Sequence, residues 1–334
     1  MNPLPPFTAR FDDVEVTFPR SWEMGENGVA RRVSGSVALE NITCEFPAGQ
    51  ITGLLGRNGA GKSTMLSLLA AFRRPTRGAV LVGPDGDLRD PWEDAALTSA
   101  VLVVQEGGDV LQDEKVEATF SYYADLRPDW DPEYARELLD LFEVPLRKKA
   151  SVLSRGKRSA LAATLGLAAR APLTVFDEVY LGMDAPTRFA FYDALLADYA
   201  EHPRTIVMSS HLVEETERLF ENVVLLDRGR VVLAEPADDL RTRVTSLTGP
   251  TAAVDHLAAG RDVLHRQHLG PTTRVTVHGP LSDDDARAAA AAGVTIGHEG
   301  LEGLLIHLTR SSREGTGDGG TTAGRPLAGK ESHR

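Results

Sequence analysis

With only one cysteine, Cys44, in 334 residues, the chain has no internal disulfide and no cysteine metal centre. Cys44 stands among apolar residues, so a small buried side chain in a strand is expected. Long apolar runs are missing too. Arg170 and Gly166 interrupt the longest one, Leu161 to Phe176, which falls short of the roughly 18 residues that span a bilayer. The opening Met1-Asn2-Pro3-Leu4-Pro5-Pro6 lacks the basic-then-apolar pattern of a secretory signal. These absences predict a chain that stays in the cytosol and does any membrane work through a separate partner. Positive charge is in deficit, and a net charge of −12 argues against nucleic acid as the main partner. What remains, 42% hydrophobic and 25% charged, is a globular chain of one large domain or two.

Glycine is where the sequence becomes specific. Gly56-Arg57-Asn58-Gly59-Ala60-Gly61-Lys62-Ser63-Thr64 fits G-x-x-x-x-G-K-[ST], a loop that cradles nucleotide phosphates. Its glycines allow a tight turn that points several N–H groups into one concavity. Lys62 adds a cation for the β- and γ-phosphates, and Ser63 a hydroxyl for Mg²⁺. Ile51 to Leu55 reads as a buried strand entering the loop and Thr64 to Phe72 as the helix leaving it, its positive end facing the phosphates. Gly324 to Lys330 repeats the spacing, but Glu331 replaces the Ser/Thr and no strand precedes it, so that copy is noise.

Along the chain, Phe11 to Phe18 and Val37 to Phe46 alternate as strands, with 19–35 an exposed loop between them. The runs 79–82, 100–104, 173–177 and 205–208 are buried strands, and helices are expected over 155–170, 186–199 and 213–220. Pro132 and Glu133 open a further helix with an apolar face at Leu138, Leu139, Leu141 and Phe142. Strands and helices alternate to about residue 235, as a mainly parallel, helix-covered sheet requires. Residues 236–310 read as a small α+β domain, with helices at 256–259 and 283–292 and strands at 273–277 and 294–296. Asp283-Asp284-Asp285 suits the first turn of a helix better than a metal site. Residues 311–334 lack core formers and are expected to be disordered.

Further motifs surround the phosphate loop in order. The apolar strand at 173 ends in Asp177-Glu178: the first suits Mg²⁺, and the second can accept a proton from an attacking water. Leu153-Ser154-Arg155-Gly156-Lys157 opens the helix before it. Gln105 closes the strand at 100, and His211 follows Ser209-Ser210. Each taken singly is a common surface feature; their order and spacing carry the weight.

With these motifs, residues 8–235 resemble the nucleotide-binding subunit of an ATP-binding cassette (ABC) transporter. The resemblance implies an α/β phosphate-loop core with an antiparallel β subdomain and a helical subdomain over about 106–170, followed by the accessory domain at 236–310 and the tail. It implies ATP and Mg²⁺ as cofactors, with ATP held by Gly56 to Thr64. Ser63, Gln105 and Asp177 would serve the metal, and Glu178, His211 and Gln105 would be catalytic. Asp184 matches the D-loop, and Ser154, Arg155, Gly156 and Lys157 the signature loop that acts in trans. Phe18 sits where the family stacks an aromatic ring on adenine, with Trp22 its rival. Arg155 and Lys157 replace the usual Gly and Gln, and Val179 the usual Pro, without removing a reactive group, so an ATP hydrolase is expected. The Arg-containing signature and the C-terminal extension resemble ABC-2-type exporter ATPases. Implied partners are an integral membrane permease and a second cassette, as homodimer or heterodimer, at the inner face of the plasma membrane. The alternative is a soluble ABC ATPase acting on ribosomes or nucleic acid. Against it, the translation-associated members carry two cassettes per chain, whereas one credible phosphate loop occurs here.

Overall fold

Strands that are apolar without alternation must be buried on both faces, and this requirement sets the architecture. The computed structural model describes residues 4–19, 21–24, 30–33, 35–105, 110–298 and 304. In chain order, β1 (Thr8–Phe18), β2 (Ser21–Met24), β3 (Ala30–Val33), β4 (Ser36–Phe46) and β5 (Ile51–Leu55) precede α1 (Lys62–Leu69). Then come β6 (Arg77–Gly83), α2 (Ala95–Ala100), β7 (Val101–Gln105), α3 (Val116–Leu126), α4 (Pro132–Leu141) and α5 (Arg155–Ala168). β8 (Leu173–Asp177), α6 (Ala185–Glu201), β9 (Thr205–Ser210), α7 (Val213–Thr216), β10 (Asn222–Asp227), β11 (Arg230–Pro236) and α8 (Ala237–Arg241) follow. The chain continues with β12 (Val244–Pro250), α9 (Thr251–Ala258), β13 (Val263–Leu269), β14 (Thr272–His278), α10 (Asp283–Ala291) and β15 (Thr295–His298).

The central sheet has the order β11-β10-β5-β9-β8-β7. It is parallel from β10 to β7, and β11 pairs antiparallel at one edge. Successive residues of one strand serve opposite cores. Leu102 and Val104 of β7 join a core with residues of α3 to α6, while Val101 and Val103 join one with α1, β1 and β4. The second core is closed by an antiparallel sheet, β4-β1-β6, which buries Cys44 at 8% exposure and pushes its thiol up to about 12.

Local chemistry sets the helix starts. Asp131 caps α4 by accepting from the N–H groups of Glu133 and Tyr134, with Pro132 in the first turn. Ser282 and Asp285 form a capping box on α10, so the acidic run at 283–285 lies in the first turn of that helix.

Three stretches differ from the sequence expectation. Residues 21–24 and 30–33 pair antiparallel, a hairpin where a loop was expected. The helix placed at 256–259 is Thr251–Ala258, starting directly after Pro250, which serves as its N-cap. The region beyond β11 also holds the strands β12 and β13. Its order β13-β14-β12-β15, all antiparallel, with α9 and α10 as crossovers, is the β-α-β-β-α-β arrangement. The expected disorder at 311–334 and the second glycine-lysine stretch lie outside the described residues.

Candidate functional site

The register of the parallel sheet brings the chemistry together. Leu55 pairs with Ser210, Asp177 with Ser209, and Gln105 with Asp177. The phosphate loop, Glu178, His211 and Gln105 therefore all emerge at the carboxyl ends of neighbouring strands, where open α/β sheets bind ligands. Beside them opens a cleft of about 550 Å³, lined by Asn58, Gly59, Gly61, Lys62, Ser63, Thr64 and Glu178. Val37, Ala38, Arg228 and Gly229 complete its walls.

Gly61 shows why the loop needs glycine. It caps α1 at φ 108°, and a β-carbon there would meet Leu39 Cδ2 at 2.7 Å and the Ala38 carbonyl oxygen at 2.9 Å. No side chain caps α1, so its first N–H groups remain for a ligand's acceptor oxygens. The loop is braced from within, where Ala60 N–H donates to Arg57 O (3.0 Å), and from outside, where Gly229 N–H donates to Ala60 O (2.9 Å). Lys62 is 5% exposed, and its ammonium donates to Gly56 O at 2.9 Å and lies 3.2 Å from Glu178 Oε1. A buried cation, an open helix end and a cleft of this size fit a nucleoside triphosphate.

Asp177 is buried, and Ser209 Oγ donates to its Oδ1 at 2.6 Å. The same hydroxyl accepts the Glu178 N–H at 3.0 Å. Glu178 is held at φ 51°, a left-handed conformation that costs a residue with a β-carbon on the order of 1 kcal/mol. Asp177 and Ser63 offer oxygen ligands of the kind Mg²⁺ takes, and Gln105 adjoins Asp177 in the ladder. Tyr180 is buried, and its hydroxyl lies 3.0 Å from His211 Nδ1. His211 Nδ1 is 3.7 Å from Glu178 Oε1.

The residues expected to form the signature loop open α5. Ser154 caps it by accepting from Lys157 N–H at 3.3 Å. Lys157 Nζ turns away to donate to Phe142 O (2.7 Å) and pair with Glu143. Gly156 passes so close to the turn after Glu178 that a β-carbon would meet Gly182 O at 2.5 Å, and Arg155 packs its stem on Gly182. Asp184 caps α6, and hydrogen bonds from Thr187 hold its carboxyl below the ordinary range. Arg188, one turn on, pairs with Glu215 through two hydrogen bonds, tying α6 to α7.

Phe18 does not line the cleft. Its half-buried ring carries the Arg73 guanidinium, 4.4 Å from the centroid. The side chain of Trp22, its rival, lies outside the described residues. Sequence reasoning missed Ser209, Tyr180 and Arg228. The first two were visible only as neighbours of stronger motifs, and Arg228 only as one residue of a turn.

Comparison with known proteins agrees with this geometry. Residues 39–180 match the family model described as ABC transporter. YtrB of Bacillus subtilis (strain 168), an ABC transporter ATP-binding protein, is 27% identical over 64% of this chain and 72% of its own. The aliphatic sulfonates import ATP-binding protein SsuB of Escherichia coli (strain K12) is 29% identical over 65% of this chain and 82% of its own. The solved ATP-binding subunit of an ABC transporter superposes with a TM-score of 0.56 at 23% identity, over 70% of this chain and 91% of that one. The ATP-binding cassette MJ0796, solved as a dimer with ADP and Pi, gives 0.54 at 22% identity, over 69% of this chain and 98% of that one. Residues 39–180 of this chain thus carry an ABC transporter ATP-binding domain.

Proposed function

We propose that this chain binds MgATP in the cleft, hydrolyses it, and drives separate membrane subunits through ATP-dependent closure of paired cassettes. The observation that carries the proposal is the convergence of Lys62, Asp177, Glu178 and His211 where neighbouring parallel strands end. In this scheme Lys62 exchanges its contact with Glu178 for the β- and γ-phosphates. Glu178, released at the γ-phosphate end, accepts a proton from the water that attacks phosphorus as the bond to ADP breaks. Asp177, steadied by Ser209, and Ser63 would hold Mg²⁺, with Gln105 adjoining. When bound, the ion offsets the charge that develops on the phosphates. His211 donates to the γ-phosphate, and Ser154 and Gly156 of a partner cassette cap it. Stacking of adenine on Phe18 belongs to the same scheme and requires the Phe18 ring to reach the base.

The finer assignment is export. It rests on the Arg-containing signature loop and the C-terminal extension, both of which resemble ABC-2-type exporter ATPases. SsuB, by its name, serves import, so the direction rests on those two features alone. The chain is expected to sit on the inner face of the plasma membrane.

Glu178→Gln tests the chemistry, since the isostere keeps shape and loses basicity. Hydrolysis should fall by about 10²–10⁴ while ATP still binds. Wild-type turnover in that variant would place the base elsewhere.

A further inference from the structure

Tyr180 stands two residues beyond Glu178 and is 1% exposed. Its hydroxyl is surrounded by groups from the end of β9. The His211 backbone N–H donates to it at 3.0 Å, and Ser210 Oγ lies 3.4 Å away. Ser210 Oγ in turn accepts from Leu212 N–H (3.0 Å), while the Thr216 hydroxyl, 3.3 Å away, gives its one proton to Leu212 O (2.9 Å). A phenol carries one proton and can accept two bonds. The His211 N–H takes one acceptor position, and of the two acceptors within reach of the Tyr180 proton, His211 Nδ1 at 3.0 Å is nearer than Ser210 Oγ at 3.4 Å.

A competing arrangement would put the proton on Nδ1 and donate it to Glu178. That contact is 3.7 Å, beyond hydrogen-bonding distance. Nδ1 therefore pairs with the Tyr180 hydroxyl, 0.7 Å nearer, and the shorter reach of that hydroxyl to Nδ1 than to Ser210 Oγ makes it the donor. Burial also pushes the Tyr180 phenol above its ordinary range, which keeps it protonated and able to donate. Nδ1 is therefore an acceptor, and the proton of the neutral imidazole sits on Nε2.

We propose that Tyr180 is a positioning residue that holds His211 in the Nε2–H tautomer, presenting a single N–H donor to the γ-phosphate of bound ATP. The inference rests on the role proposed for His211. It adds the element that orients it, as the partner on one ring nitrogen sets the state of the other. Without Tyr180's proton, Nδ1 would be free to carry the hydrogen itself, and part of the population would present a bare Nε2 lone pair to an anionic oxygen.

The test uses the full chain labelled with ¹⁵N-histidine. Long-range ¹H–¹⁵N correlations distinguish the two tautomers, and His211→Ala assigns the signal. The wild-type protein should show the Nε2–H form at His211, and an Nδ1–H form there would overturn the inference before any variant at position 180 is made. Tyr180→Phe keeps the buried ring and removes only the hydroxyl. It should yield a tautomer mixture at His211 and about a 10-fold or greater loss of turnover, in line with the cost of misorienting a catalytic imidazole. Either quantity left at its wild-type value overturns the inference. If His211→Ala hydrolyses ATP normally, the role proposed for His211 fails. Failure of Tyr180→Phe alone leaves that role standing.

Discussion

Lys62 and Glu178 occupy one corner of the cleft at 3.2 Å, a cation and an anion of which one is nearly buried and the other 22% exposed at its side chain. Truncating one member of such a pair leaves the other uncompensated, so the effect exceeds the value of the contact itself. Lys62→Ala should weaken ATP affinity sharply and abolish hydrolysis, because no other side chain of the phosphate loop carries a cation into its concavity. Equilibrium binding of a fluorescent ATP analogue checks this, and unchanged affinity together with unchanged turnover would remove the loop from the mechanism. Lys62, Asp177 and Glu178 were legible in the sequence because their relation lies within one loop or one strand end. Ser209 and Tyr180 were not. Ser209 matters because β8 and β9 pair in the register that sets Asp177 beside it, and Tyr180 because its hydroxyl meets the end of another strand. A hydroxyl whose partner is far away in sequence leaves no pattern in the sequence.

Among elements, the parallel strands were legible for the reason they exist: burial on two faces demands unbroken apolar runs. The C-terminal β12 and β13 were not. β12 is rich in Thr and Ser, and β13, Val-Leu-His-Arg-Gln-His-Leu, is exposed along most of its length, so neither shows a period of two against water. Backbone pairing to β14 holds them instead. Element α3 raises a functional question. Together with Phe72, Leu102, Val110, Leu111 and the C-cap Arg127, its Tyr122, Tyr123 and Leu126 line a groove of about 420 Å³. Phe72 is 68% exposed and Leu126 50%, side chains that water covers poorly. Leu102 belongs to β7, the strand that ends in Gln105, so this groove adjoins the nucleotide site through one rigid element. Under the proposed function its occupant is a cytoplasmic segment of the membrane subunit. Leu126→Glu should shift the chain from the membrane fraction of its host to the soluble fraction while the purified chain still hydrolyses ATP. Equal recovery with membranes would exclude the groove as the docking site.

For the molecule as a whole, the decisive feature is incompleteness. None of Ser154, Arg155, Gly156 and Lys157 lines the cleft that contains Lys62. Ser154, at the N-cap of α5, is exposed. Under the proposed function one chain thus carries a phosphate loop and a signature loop that do not meet around one nucleotide. Two cassettes placed head to tail would pair them twice, with Ser154 and Gly156 of each chain reaching the ATP held by Lys62 of the other. That interface is two-fold symmetric, so copies of this chain can form it, and a sister cassette can substitute. Among the described residues no helix is long and apolar enough to cross a membrane, and under the proposed function the stroke passes to other subunits. The contact of Gly156 with Gly182 and the Arg188–Glu215 pair join the signature loop, the Glu178 turn and α7 within each chain. Closure at one site would therefore be felt at the other. ATP should favour the closed pair and hydrolysis should release it, a shift that needs only differential affinity for the two states. Sedimentation of the Glu178→Gln protein measures this directly. Addition of MgATP should convert monomer to dimer, and ADP should not. A monomer under both conditions, with Ser154→Ala hydrolysing at the wild-type rate, would show that this chain does not close on itself and would point to a partner cassette or a different mechanism.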